Sequence, residues 1–432
     1  MQALRQRSHY ISQLNNSLIG KLVTVAGWVE DIRDIGRLVF IVIRDITGSV
    51  QAIARGESVG IAKEISRQSS VTVRGLLRNS DARDFLFEIS IQDIFIQSRA
   101  NNSLPIDATG RISSSIDKRI DSRALDLRNP AVSTIFKIRA FASSSIRENL
   151  SREGYLEVNT PKIIGTASEG GANLFSFDYF KKKAYLAQSP QLYKEQLMVA
   201  LDRVFEIGPY FRAEKSHTVR HLSEFISVDT EAAFVDYEYS MLNLEELVRK
   251  IVSVVSDKFR NSDLTEENPI SSPKHVELNT KVTYKQCIEY LSNNGEKIEF
   301  GEDLTDSSLR VLSEKYKGFY FITDWPTNLK PFYIQEKNND PELSESFDLQ
   351  YGYLELASGG TRLHEKDRLQ SRLEEKGLRH QDFAEHLKAF DWGIPPHAGW
   401  GLGFDRLIMT LTGSQNVREV VLFPRDVERL VP

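Results

Sequence analysis

A chain of 432 residues exceeds the usual size of one domain, so two or more hydrophobic cores are expected. Apolar residues at 41% and charged residues at 27% suit folded globular domains and exclude a disordered chain. The formal charge of -5 leaves no global basic footprint, so any contact with nucleic acid must come from local patches, and the single cysteine, Cys287, excludes a disulfide framework or a cysteine-rich zinc site.

The opening run MQALRQRSHYISQLNNS lacks the apolar core of a signal peptide, and no stretch reaches the roughly 18 apolar residues of a membrane span, so a cytoplasmic protein is expected. From residue 21 to about 96 short strand patterns recur at 22–29, 38–44, 50–54, 71–77 and 85–94, with a helix pattern at 59–67 between the third and fourth. That order predicts a small Greek-key barrel of the oligonucleotide-binding type, assigned to residues 1–100, whose outer face and loops hold single strands. Phe40 is a candidate base-stacking platform, Gln51 a hydrogen-bonding neighbour on the next strand and Arg33 a phosphate contact; a core aromatic and a solvated polar face are the plain alternatives.

Residues 101–128 show no sustained period and are expected to be a hinge with little structure of its own. A second domain, 129–432, begins at Asn129-Pro130, a helix start, and Val132, Ile135, Phe136, Ile138, Ala142, Ile146 and Leu150 mark one apolar face. That face suits either a core or a dimer seam. A strand at 155–158 follows, then a glycine-rich loop around Glu169, then an apolar strand at 185–187 running through Ser189-Pro190 into a helix with Gln191 and Lys194 on a shared face. Residues 204–234 read as an antiparallel hairpin of otherwise buried strands that carries Arg212, Glu214, Arg220, His221, Asp229 and Glu231. Alternation aims several of these charges at one surface, which suits a ligand bearing both phosphate and ammonium groups; a salt-bridged hairpin is the plain alternative.

A helix is expected at 237–259 and a polar connection at 261–273, while 276–302 and 307–316 are ambiguous. Buried strands are expected at 319–323 and 331–335. Asp348 and Glu355 fall on two further strands, followed by Ser358-Gly359-Gly360 and Arg362. Two carboxylates beside a glycine turn and an arginine can hold Mg²⁺ against phosphate oxygens. Near the C-terminus a glycine-punctuated strand at 397–402 enters a helix at 404–411, with Arg406 in its first turn; the small residues there admit a ligand close to the backbone. The phosphate-loop and dinucleotide-binding glycine patterns are absent, so a nucleotide site would be of another kind.

Three stretches in this order resemble the signature motifs of the class II aminoacyl-tRNA synthetases: the long helix and strand ending at Pro161, FRAE…RHLSEF at 211–225 and GLGFDR at 401–406. Within that family QSPQLYK at 188–194 and SVDTEAAF at 227–234 are similar to the archaeal-type aspartyl enzymes. The resemblance covers nearly the whole chain and implies an α+β multidomain protein, with a catalytic domain built on an antiparallel sheet flanked by helices behind the barrel. It implies a cytoplasmic homodimeric ligase that uses ATP and Mg²⁺ to attach L-aspartate to tRNA(Asp), with tRNA(Asn) an open second acceptor, through an aspartyl-adenylate. An asparaginyl enzyme and an aspartate-adenylating paralogue that charges no tRNA are the alternatives.

For individual residues the resemblance implies that Arg212 binds the ATP α-phosphate and the attacking carboxylate. Ala213, Glu214 and the segment Arg220, His221 and Leu222 contact ATP, and Phe225 stacks under adenine. Gly403, Phe404 and Asp405 accompany Arg406, which closes over the base. Glu355 and Ser358 hold the metal, with Asp348 nearby. Lys194 and Arg362 meet the aspartate side chain; Gln191, Asp229 and Glu169 surround its ammonium group, with Ser358 close by. In the barrel, Phe40, Gln51 and Glu88 match positions that read the anticodon, together with Arg33. Glu30 and the loop 80–84 depart from the pattern of enzymes confined to tRNA(Asp), and Gly352 stands where relatives commonly carry arginine.

Overall fold

The computed structural model describes residues 6–165, 174–213, 218–260 and 280–432. It divides into two compact units, Met1–Asn129 and Pro130–Pro432.

In the first unit β1 (Leu22–Asp34), β2 (Leu38–Asp45), β3 (Gly48–Arg55), β4 (Ser70–Asn79) and β5 (Phe87–Ser98) close into a barrel in the order β1-β2-β3-β5-β4, with helix α1 (Ser58–Lys63) between β3 and β4. Alternation decides the inside: Val39, Ile41 and Ile43 of β2 are fully buried, while Phe40 between them stays partly exposed on the outer face. α1 is shorter than its pattern suggested, because Gln68 turns into a left-handed conformation (φ 67°) and its N–H docks on the Val29 carbonyl at 2.6 Å, starting β4.

The segment 101–128 is less featureless than expected. Helices α2 (Ile116–Asp121) and α3 (Arg123–Asp126) form there, and Arg123, only 1% exposed, bonds Asp126 at 2.9 Å while Arg119 reaches the same carboxylate at 3.1 Å. Ion pairs rather than an apolar period hold this segment, so periodicity did not reveal it.

The second unit opens with α4 (Pro130–Arg152), whose Ile138, Ala142, Ile146 and Leu150 are fully buried in the main core. Then come β6 (Leu156–Glu157), a small sheet of β7 (Ile163–Ile164), β8 (Ser176–Tyr179) and β9 (Lys182–Leu186), helix α5 (Gln191–Leu197), and the long hairpin β10 (Arg203–Phe211) and β11 (Glu224–Ala233). Helix α6 (Tyr237–Arg260) backs the sheet. Beyond it lie β12 (Lys281–Thr283), α7 (Tyr284–Asn293), α8 (Asp306–Lys315), β13 (Phe319–Thr323), the short pair β14 (Glu336–Lys337) and β15 (Asp340–Ser344), then β16 (Ser346–Tyr351) and β17 (Leu354–Thr361). Helices α9 (Lys366–Glu375) and α10 (Ala384–Asp391), strand β18 (His397–Gly403) and helix α11 (Phe404–Thr412) complete the unit.

One eight-stranded sheet, ordered β12-β13-β16-β17-β18-β11-β10-β6, is its spine. The sheet is mixed rather than purely antiparallel: its six central strands alternate in direction, and the outer pairs β12·β13 and β10·β6 are parallel. Val228 and Ala232 of β11, with Trp400 and Leu402 of β18, face the helices and join the core. The expected strand at 331–335 is instead a buried turn with one bridge, Ile334 to Arg362; Phe332 and Ile334 pack beside Leu369 and Leu373. An apolar run signals burial, and burial alone does not distinguish a strand from a packed turn. Among the described residues no helix is long and apolar enough to cross a membrane. The expected connection 261–273 lies outside them.

Candidate active site

The face of the sheet away from α6 carries the chemistry, because strand period two puts every second side chain there. On β11 these are Ser227, Asp229 and Glu231, opposite Gly403, Gly401 and Gly399 of β18. The glycines are needed for space. A Cβ on Gly399 would lie 2.5 Å from a Glu231 oxygen and 2.1 Å from the Thr230 carbonyl, and one on Gly401 would lie 3.0 Å from Asp229 Oδ1. These two positions therefore make room for buried carboxylates, whereas the sequence suggested room for a ligand.

Those carboxylates anchor two cations. Arg362 donates from Nε to Glu231 Oε1 at 2.9 Å and from Nη2 to Oε2 at 3.3 Å. Lys194 Nζ bonds Asp229 Oδ1 at 3.2 Å and stands 3.4 Å from Glu231 Oε2, while Ser227 Oγ holds the other Asp229 oxygen at 2.6 Å. Two positive and two negative side chains, each no more than 5% exposed, thus form a formally neutral buried quartet. Burial alone would lower the Arg362 pKa, but the Glu231 carboxylate outweighs it and raises the value. Glu231 is the central member, and from the sequence it was recognisable only as a charge in the hairpin.

Above this floor a cleft of about 300 Å³ opens. Gln191, Arg212, Arg220, His221, Leu222, Phe225, Asp229, Glu355, Ser358, Arg362, Gly403, Asp405 and Arg406 line it, so the structure brings together most of the residues singled out in the sequence. Lys194 lies beneath the lining, 3% exposed, instead of on the wall. Phe404 is a core residue, 2% exposed and packed in the main cluster, because the first turn of α11 points it away from Arg406. Ala213 does not line the cleft. Glu169 and Glu214 fall outside the described residues.

Asp405 has both oxygens engaged. Oδ1 accepts from Arg139 of α4 at 2.5 Å and Oδ2 accepts from the Ile226 N–H at 2.9 Å, which ties α4, β11 and α11 together. Arg406 is steadied by a 2.9 Å bond from Nη1 to the Glu355 carbonyl, and the Arg212 guanidinium lies 5.2 Å from the Phe225 ring centroid. Arg220 stacks 5.3 Å over Tyr353 and pairs with Asp306 of α8. Burial, then the neighbouring Arg406, lowers its pKa. Asp306 and Lys330 are contributors the sequence did not suggest.

Beside Arg406 the cleft joins a recess of about 260 Å³ lined by Lys330, Asp348, Glu355 and Ser358. Glu355 is exposed to the cleft, yet partial loss of water to the surrounding walls, then the like charge of Asp348, holds its carboxyl above the usual carboxylate range, against Arg406, Lys330 and Arg212. Lys330 Nζ neutralises Asp348 at 2.9 and 2.8 Å. A carboxylate pushed toward its neutral form by another carboxylate is what a small divalent cation relieves, and the donors present are all oxygens. The group Glu355, Ser358 and Asp348 fits magnesium on that test. No cluster of three His, Cys, Asp or Glu side chains suited to a metal occurs among the described residues, so ligand oxygens have to complete the shell.

On the barrel, Arg33 of β1 sits directly opposite Phe40 of β2, and Gln51 of β3 opposite Glu88 of β5, whose Oε2 it meets at 3.4 Å. The four residues named from the sequence fall on four adjoining strands of one outer face. Arg78 of β4, opposite Glu88, extends the patch. Glu30 is occupied by Arg44 Nε at 2.6 Å.

In the second unit one cleft on the mixed sheet joins oxygen donors suited to a cation, an arginine beside an aromatic ring and a charged floor, and the first unit is a five-stranded barrel, which together suit a nucleotide-dependent ligase. The chain belongs to the class II tRNA synthetases of the D, K and N group, whose family model matches residues 115–427. The OB-fold nucleic acid binding domain matches residues 23–96. An aspartate–tRNA(Asp/Asn) ligase from Archaeoglobus fulgidus is 45% identical over 98% of this chain and 99% of its own. An aspartate–tRNA(Asp) ligase from Pyrococcus horikoshii is 41% identical over 99% of both. Among solved structures, asparaginyl-tRNA synthetase from Pyrococcus horikoshii with asparaginyl-adenylate aligns with a TM-score of 0.90 at 32% identity, over 99% of this chain and 100% of that one. Aspartyl-tRNA synthetase from Entamoeba histolytica aligns at 0.86 and 30%, over 98% and 92%.

Proposed function

We propose that this chain joins L-aspartate to ATP as aspartyl-adenylate with release of pyrophosphate, then transfers aspartate to the terminal ribose of tRNA(Asp) with release of AMP, and that tRNA(Asn) is a second acceptor. The observation that carries the choice of amino acid is the Arg362–Glu231–Lys194–Asp229 quartet at the cleft floor. Arg362 meets the side-chain carboxylate of the substrate, and Lys194 adds its charge from below. An amide in the same place leaves buried donors unpaired, which supports aspartate over asparagine.

In this reading adenine lies between Phe225 and Arg406, Arg220 and His221 hold the outer phosphates, and Arg212 spans the α-phosphate and the attacking carboxylate. No general base is required, because the nucleophile is already an anion; positioning and charge neutralisation carry the step. Magnesium, when bound by Glu355, Ser358 and Asp348, supplies further neutralisation of the phosphates. Glu355→Gln should therefore lower pyrophosphate exchange at least ~100-fold and raise the magnesium concentration needed for half-maximal rate. Exchange that keeps its wild-type magnesium dependence would remove Glu355 from the metal site.

The barrel's outer face holds the anticodon in this reading, with Phe40 stacking on a base. Phe40→Ala is expected to leave pyrophosphate exchange intact and to weaken tRNA binding by about 1–3 kcal/mol. Equal losses in exchange and charging would mark Phe40 as structural. The active form is a cytoplasmic homodimer, supported by family membership alone.

The decisive test supplies labelled aspartate to separately purified tRNA(Asp) and tRNA(Asn), with asparagine replacing aspartate in a parallel exchange assay. Charging of both tRNAs with aspartate and exchange with aspartate only is the expected result. Exchange with asparagine instead would make the chain an asparaginyl enzyme. Adenylation with no charged tRNA would make it a small-molecule ligase, against which the barrel speaks.

A further inference from the structure

Behind the amino-acid end of the cleft lies a buried charge that the reaction just described does not use. Glu195, the neighbour of Lys194 on α5, is fully enclosed. Its Oε1 accepts a hydrogen bond from Gln191 Nε2, one helical turn earlier, at 2.6 Å. Its Oε2 has no hydrogen bond. His386 Nε2 from α10 stands 3.3 Å from it and His397 Nε2 from β18 stands 3.9 Å away, and both rings are buried, at 2% and 0% exposure. His397 Nδ1 lies 2.8 Å from the Pro395 carbonyl, which can only accept, so that nitrogen carries a hydrogen. Burial works to protonate Glu195, but the two imidazoles facing it outweigh burial and keep its carboxyl well below the usual range.

An ionised carboxylate accepts and never donates. The Gln191 amide must then present its NH₂ group to Glu195, which turns its carbonyl oxygen toward the cleft that Gln191 lines. A carbonyl on that side accepts from an ammonium group, whereas an amide reversed end for end would confront the same ammonium with a second donor. We propose that Glu195 is a positioning residue that locks the Gln191 amide with its acceptor toward the substrate ammonium, and that His386 and His397 are the buried counter-groups that keep Glu195 in its acceptor-only form. The role rests on aspartate being the substrate, as proposed above.

The full-length chain carrying Glu195→Gln tests it, since this change keeps shape and removes only the charge that dictates polarity. The aspartate KM in pyrophosphate exchange should rise about tenfold while the ATP KM stays within twofold. In a Gln191→Ala background, Glu195→Gln should add less than twofold, because the residue it orients is already gone. The swapped pair, Gln191→Glu with Glu195→Gln, restores a donor–acceptor contact with an acceptor on the cleft side, and should bring the aspartate KM back to within about threefold of wild type. An unchanged aspartate KM in the single variant overturns the proposal. So does an equal rise for ATP, or the same factor appearing in the Gln191→Ala background. Melting curves verify folding; should the single variant unfold, recovery or failure of the swapped pair decides. Wild-type protein that shows no exchange with aspartate would instead overturn the substrate assignment, which separates the two failures.

Discussion

Arg212→Ala should abolish pyrophosphate exchange while leaving the melting temperature within about a degree of wild type. Arg212 is exposed to the cleft. It leaves β10 where its backbone N–H is bonded to the Ser223 carbonyl, so the position survives loss of the side chain. What disappears is a guanidinium at the point where a carboxylate and a phosphate, both anionic, have to approach each other. Arginines in that role in phosphoryl transfer contribute on the order of 10³–10⁵ in rate. A loss of ~10³-fold or more in kcat is expected, with the aspartate KM changed far less. Near-normal exchange, measured with the protein demonstrably folded, would reassign the residue.

Arg362→Gln should act on stability and specificity together, which distinguishes it from Arg212. The guanidinium is 3% exposed and held on Glu231, itself fully buried, so its removal leaves a carboxylate with Lys194 alone. Breaking a buried pair costs about 3–5 kcal/mol, and Lys194 keeps the expected value at the lower end. A fall in melting temperature of roughly 5–10 °C follows. At a temperature where the variant is folded, kcat/KM for aspartate should drop by about 10³, and the preference over asparagine should shrink with it. A stable variant with unchanged preference would mean that the quartet is structural and that the side chain of the substrate is read elsewhere.

The sequence disclosed the strands better than the depths. Period-two alternation on β11 was enough to place Asp229 and Glu231 on one face, and on β2 to place Phe40 outside while Val39 and Ile41 go in. Spacing along α5 put Gln191 and Lys194 together, yet it could not show that Lys194 lies under the cleft, nor that the next residue, Glu195, faces two histidines from β18 and α10. Those partners are about 190 and 200 residues away in the chain, and nothing local announces such a meeting. Asp306 on Arg220 was hidden for the same reason, since α8 lies in a stretch whose pattern favoured no single element. Phe404 shows the converse, since its side chain lies in the core. It belongs to a recognisable motif, and the motif does not say which of its side chains the helix turns inward.

The alternate glycines of β18 have a consequence for how the chain can vary. Every other residue type adds at least a methyl group at Gly399, and that methyl falls on the Thr230 carbonyl and on Glu231 Oε2, one of the two oxygens that grip Arg362. The position has no conservative replacement, because the forbidden feature is the existence of a side chain, whatever its polarity. Trp400 and Leu402 of the same strand face the helices instead, where size can be traded against the core. The floor of the cleft thus depends on an empty place beside it: at Gly399 a substitution of any kind disturbs the Glu231–Arg362 grip at once, with no graded intermediate.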